Sequence, residues 1–113
     1  MLNQPEPLDR MFQALSDPAR RAMVERLSRG PASVGELAQP LAMSLPAVLQ
    51  HLSVLEGAGL VTSKKSGRVR TCQVNSAALG EAEAWINERR TEWALRLDRL
   101  GRYLETKQKK ERR

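Results

Sequence analysis

The chain has 113 residues, 41% of them hydrophobic, and a formal net charge of +6, which is one domain's worth of sequence around a single modest core. No apolar run is long enough to span a bilayer and no signal-peptide pattern opens the chain, so a cytoplasmic protein with no membrane contact is expected. The single cysteine, Cys72, excludes an intrachain disulfide and a multi-cysteine metal cluster.

Residues 1–7 contain Pro5 and Pro7 and show no periodicity, so they read as a loose arm, with Pro7 suited to open a helix. Leu8, Met11, Phe12 and Leu15 then recur at i, i+3, i+4, i+7, the stripe of an amphipathic helix. Asp17-Pro18 is an N-cap followed by a first-position proline. The second helix is expected over Pro18–Arg29, burying Ala22, Met23 or Val24, and Leu27, before Gly30-Pro31 stops it.

Ser33-Val34-Gly35-Glu36 is a capping box: the Ser hydroxyl accepts from the Glu36 N–H and the Glu carboxylate reaches back to the Ser33 N–H. A short helix follows through Leu37 and Ala38, and Pro40 ends it. Ser44 caps another, with Leu45, Val48, Leu49, Leu52 and Leu55 at helical spacing and Gly59 as its left-handed stop. Residues 60–65 and 68–74 flank a Ser66-Gly67 turn and read as a two-stranded ribbon. From Ser76, capped by Asn75 or Ser76, a long helix is expected to about Thr106, roughly 45 Å at the usual rise. Its apolar positions Leu79, Ala82, Ile86, Trp93, Leu97, Leu100 and Leu104 make a near-heptad seam. The domain is therefore expected over 8–106, followed by a basic disordered tail over 107–113.

The positive charge is localised. Lys64, Lys65, Arg68 and Arg70 stand in the ribbon with no acid, and Lys107, Lys109, Lys110, Arg112 and Arg113 in the tail face only Glu111; the remainder is net negative. A polyanion partner suits that layout. A short helix, a turn, an amphipathic helix and a cationic ribbon are the parts of a winged helix-turn-helix, which sets its second helix in the DNA major groove. The expected fold is mainly α with a small β-hairpin. One small domain cannot easily cover both ends of the long helix. A homodimer is expected through Leu8, Met11, Phe12 and Leu15 with Ile86, Trp93, Leu97, Leu100 and Leu104, presenting two recognition helices to an inverted repeat.

The strings Met11–Arg21 and Met43–Val48, then His51-Leu52, Leu55, Ala58-Gly59-Leu60-Val61 and Gly67-Arg68-Val69-Arg70, resemble the ArsR/SmtB family of bacterial repressors. The resemblance covers about residues 8–105. It implies a dimeric winged-helix repressor of operator DNA. Many members sense metals through a cysteine in a Glu-Leu-x-Val-Cys-x-Leu pattern or through His and acidic ligands on the last helix. Here Ser33–Gln39 has no Cys and the last helix has no His, so this chain resembles the branch without the metal motif and no cofactor is expected.

Phosphates supply affinity and base edges supply specificity. On the second helix of the motif Leu45, Val48, Leu52 and Leu55 are expected to face inward. On the opposite face Gln50 can pair with adenine, Pro46 and Ala47 can touch a thymine methyl, and Ser53 lies partly on the same side. Ser44, at the helix start, can offer its hydroxyl or nearby amides to a phosphate. His51 either touches a phosphate or packs at the helix junction. Lys64, Lys65, Arg68 and Arg70 are expected to clamp phosphates, Arg68 best placed for the minor groove. No Lys or Arg occurs between Ser44 and Glu56, which removes the usual guanine reader; where many members have Ser-Lys, this chain has Leu49-Gln50. Cys72 reads as core, and Trp85 and Trp93 either flank the seam or line a cleft for a small-molecule effector. No nucleophile–base set or phosphate loop is present, so no enzyme is expected. The competing readings are a protein-interaction module and a nonspecific nucleic-acid binder.

Overall fold

A computed structural model describes residues 6–111. The chain divides into two compact units, residues 1–81 and 82–113. The first carries α1 (Pro7–Ala14), α2 (Pro18–Leu27), β1 (Ala32–Ser33), α3 (Val34–Ala38), α4 (Leu45–Gly57), β2 (Val61–Ser66), β3 (Val69–Val74) and the start of α5 (Ser76–Glu111). The second is the rest of α5.

The expected residues start α2, α3 and α4, whereas α1 begins at Pro7 with Glu6, a residue of the expected arm, as its N-cap. The Asp17 carboxylate accepts from the Arg20 N–H at 3.1 Å. That bond, aided by the nearby His51 and Arg20 charges, holds its carboxyl below the usual 3.8. The Ser33 capping box closes with two bonds of 3.2 Å, and the Ser33 N–H holds the Glu36 carboxyl below its usual 4.5. Ser44 Oγ accepts from the Ala47 N–H at 3.4 Å. Asn75, not Ser76, caps α5, accepting from the Ala78 N–H at 3.4 Å.

The helix ends are sharper than the sequence suggests. Arg20 bonds the carbonyls of Ala14 at 2.6 Å and Gln13 at 3.3 Å, satisfying the orphan acceptors at the end of α1. The second helix stops at Leu27 rather than Arg29, because Arg29 and Gly30 bond three residues back and Gly30 takes a positive φ of 143°. After α3 a 3-10 turn over Gln39–Leu41 holds Pro40, and Ala42 takes the left-handed conformation that redirects the chain into α4.

At the end of α4 the Leu60 N–H bonds the Leu55 carbonyl and the Gly59 N–H the Glu56 carbonyl, both at 3.0 Å. This is a full Schellman motif with Gly59 at φ 77°. The Asn75 backbone N–H then bonds the Leu60 carbonyl at 2.8 Å, and its side-chain amide the Gly59 carbonyl at 3.0 Å. One asparagine thus ties the end of α4, the entry to β2 and the start of α5.

The sheet order is β1-β3-β2, antiparallel throughout. The first strand was not expected. It is two residues long, too short for a periodic signal, and pairs Ala32 with Cys72 and Ser33 with Thr71. The hairpin turn shifts by one residue from expectation: Ser66 pairs with Val69, leaving Gly67-Arg68 as the two-residue loop. Gly67, at φ 62°, holds the first loop position, as glycine does in a type II′ turn.

The core is Met23, Val24 and Leu27 of α2, Leu37 of α3, Val48, Leu52 and Leu55 of α4, and Leu60, Val61 and Cys72. Both Met23 and Val24 are buried, and Ala22 is exposed instead. Met11, read both as core and as part of the dimer stripe, is buried in its own protomer at 4% exposure, while Leu8, Phe12 and Leu15 stay half-buried. Leu45, expected to point inward, is 52% exposed.

The fifth helix continues through Glu111, past the expected end at Thr106. Lys107–Glu111 are helical where a tail was expected, since Lys and Gln are good helix formers and basic groups suit a helix C-terminus. Arg112, Arg113 and residues 1–5 of the expected arm lie outside the described residues. In the second unit Ile86, Trp93, Leu97, Leu100 and Leu104 are all exposed, and Arg89 stacks over the Trp85 ring at 5.0 Å. No described helix is long and apolar enough to cross a membrane.

The Schellman turn gives a direct check. No heavy atom lies within 4 Å of a Cβ built on Gly59, so only backbone strain opposes a side chain there. Gly59→Ala is expected to cost about 1 kcal/mol, lowering Tm by roughly 4–8 °C in calorimetry. An unchanged Tm would contradict the cap.

Candidate nucleic-acid interface

The outer face of α4 is set by what its inner face buries. Val48, Leu52 and Leu55 are fully buried and define one direction. At about 100° per residue, Pro46, Leu49, Gln50 and Ser53 fall on the other side, and all four are exposed. Leu49 lies about 90° from the centre of the buried stripe, at its margin. Its exposure is 38%, and that of Leu45 is 52%. The outer face is thus more apolar than expected. Gln50 and Ser53 make no side-chain hydrogen bond to any described residue.

Ala47 is half-buried, and His51 turns toward α2. His51 Nδ1 lies 3.3 Å from Arg20 Nη1 and 4.0 Å from Asp17 Oδ2. Of the two readings of His51, the geometry displays the packing one. Arg20, which the sequence did not single out, holds the carbonyls of Gln13 and Ala14 with its other nitrogens. It braces α4 against α1 and α2. Ser44 Oγ is engaged as the N-cap, and its residue stays exposed at the open end of α4.

The hairpin register sorts the wing cations. Directly opposed residues of an antiparallel pair share a face. Lys65 opposes Arg70, and Ser63 opposes the buried Cys72, so these lie on the inner face. Lys64 opposes Thr71 on the outer face, and Arg68 stands in the loop itself. Lys64, Lys65 and Arg68 are exposed and carry no ion pair among the described residues. Arg70 differs: its guanidinium pairs with Glu56 and donates to Ser63 Oγ at 3.0 Å. The clamp expected of four cations therefore has three with nothing bound to them.

Burial pushes the Cys72 thiol up, with the Glu56 charge adding and the Arg70 charge opposing, so it stays protonated and unreactive in the core. Among the described residues no group of three His, Cys, Asp or Glu side chains is placed to hold a metal ion. The ring of features is an exposed helix face, a cationic hairpin tip and no acid between them on α4 before Glu56.

Comparison with known proteins agrees with this geometry. A family model described as a helix-turn-helix domain matches residues 15–64. The HTH-type transcriptional regulator Rv2034 of Mycobacterium tuberculosis is 52% identical over 71 residues, 63% of this chain; the match spans 66% of that relative's length. The transcriptional repressor SdpR of Bacillus subtilis is 27% identical over 79 residues, 70% of this chain and 88% of the relative. The crystal structure of an ArsR family transcriptional regulator is 47% identical, with a TM-score of 0.75 over 83% of this chain and 97% of that one. With an exposed recognition helix, a cationic wing and relatives of this closeness, the chain belongs to the ArsR family of winged helix-turn-helix transcriptional regulators.

Proposed function

We propose that the protein is a dimeric repressor that reads an inverted-repeat operator with α4 and grips the flanking phosphates with its wing. One observation carries this reading: the outer face of α4 and the wing cations Lys64, Lys65 and Arg68 are exposed, and these cations carry no ion pair among the described residues. The repressor assignment draws on the name of the Bacillus subtilis relative.

Within that reading Gln50 supplies a bidentate contact to adenine, and Leu49, Pro46 and Ala47 supply apolar contact to thymine methyls. Ser44 offers its hydroxyl or the first amides of α4 to a phosphate, and Ser53 faces the same groove. Because α4 has no Lys or Arg, the operator core is expected to be rich in A·T pairs. Lys64, Lys65 and Arg68 neutralise phosphates, Arg68 from the hairpin tip.

Dimerisation rests on the second unit. Trp93, Leu97, Leu100 and Leu104 recur at intervals of four, three and four, with exposures of 49–62%. That is a heptad seam in want of a second helix. Two copies joined this way present two recognition helices to two half-sites.

Selection of bound fragments from a random duplex library, at moderate salt with competitor DNA, tests the whole reading. An A·T-rich inverted repeat is expected. Salt-sensitive binding with no motif would leave a nonspecific nucleic-acid protein, and no binding would favour a protein partner. On the recovered duplex, Arg68→Ala is expected to weaken binding across sequences and reduce the log–log salt slope by about 1.8, roughly 0.9 for each protomer of the dimer. Trp93→Glu is expected to yield monomers in sedimentation velocity; a dimer persisting at low micromolar concentration would contradict the seam.

A further inference from the structure

Arg70 is the wing cation that has partners inside the protein. Its Nη2 donates to Glu56 Oε1, and its Nε donates to Ser63 Oγ at 3.0 Å. The Ser63 hydroxyl in turn donates to the same Glu56 oxygen at 2.7 Å. The three residues come from the last turns of α4, from β2 and from β3, and their bonds close a ring. The Glu56 and Arg70 side chains are 28% and 35% exposed, so both are partly withdrawn from water.

Three physical points give this ring a role. First, a guanidinium–carboxylate bond is charge-assisted and directional, and here it joins the recognition helix to the wing across fourteen residues of chain. Second, Arg70 stands directly opposite Lys65 in the hairpin, a like-charge pairing that destabilises a sheet unless an acid lies close. Glu56 supplies that acid. Third, Arg70 already commits its Nε and Nη2 to Ser63 and Glu56, and the half-buried Glu56 carboxylate offsets its charge, so a phosphate gains less from Arg70 than from Lys64, Lys65 or Arg68.

We propose that Arg70 is a strut and not a DNA contact: through Glu56 and Ser63 it fixes the angle of the wing relative to α4, and so where Lys64, Lys65 and Arg68 meet the phosphates. Glu56 and Ser63 are positioning residues for a surface they do not touch. This rests on the DNA-binding reading above for its purpose, but the strut itself is a property of the free protein.

The test uses the full chain as Arg70→Met, Glu56→Ala and Ser63→Ala. Ser63→Ala changes no charge and removes little volume, so it guards against a variant that fails to fold. In hydrogen exchange on the free proteins, the amides of β2 and β3 are expected to exchange about fivefold faster or more in each variant, with α2 unchanged. On the selected duplex, Arg70→Met and Ser63→Ala are expected to weaken binding about three- to tenfold with the salt slope unchanged, unlike Arg68→Ala. A slope lowered by about 1.8, roughly 0.9 per protomer, in Arg70→Met would make Arg70 a phosphate contact and overturn the proposal. Unchanged wing exchange in all three variants would overturn it as well. If the wild-type chain bound no DNA, the repressor reading would fail while the exchange comparison still decided the strut.

Discussion

The arrangement of the first unit depends on how α4 is seated. Val48, Leu52 and Leu55 sink into a core built from α2, α3 and the sheet, and none of the three is measurably exposed. Burial of side chains of this size is worth about 1.5–3 kcal/mol each, more than any surface contact on the helix can offer. That fixes the rotation of α4 about its axis, and so decides which residues face outward. The two ends are fixed separately, by the Ser44 cap and by the Gly59 turn with Asn75 fastened across it. Arg20 and His51 brace the side that faces α2. A helix held at both ends, along one face and on one flank has a single way to present Pro46, Leu49, Gln50 and Ser53.

The charges divide along the same lines. The positive excess of the wing is not one patch. The turn places Arg68 at the tip, the register splits Lys64 from Lys65, and Glu56 takes Arg70. Neutralising one cation internally lets the hairpin carry two opposed basic residues without splaying. The outer face of α4 carries no charge at all between Ser44 and Glu56. In the proposed reading, grip and base contact fall to different elements, so the rigidity of their connection matters.

Much of this was legible in the sequence where a single residue type performs a local task. Asp17, Ser33 and Ser44 cap helices because their short side chains reach the third backbone N–H, and Gly59 ends one because it alone accepts a positive φ cheaply. Those signals are local and came through. What did not come through depends on partners distant in sequence. The two-residue β1 exists only because β3 lies beside it. Leu45 shares helical spacing with the core set, and only the actual core shows that it lies outside it. Arg70 looks like Lys64 and Arg68 until Glu56, fourteen residues earlier, is seen against it. Met11 shows the same limit from the other side: an apolar stripe does not say which neighbour covers it.

In the proposed function the outer face of α4 and the wing form one DNA-binding surface. The most direct measurement is a backbone and methyl chemical-shift titration of the full chain with the duplex recovered by selection. The predicted result is a contiguous set of perturbed signals from Leu49, Gln50, Ser53, Lys64, Lys65 and Arg68, with the amides of Met23, Leu27 and Leu37 unmoved. Perturbations confined to α5 or α1, with the α4 face silent, would contradict it.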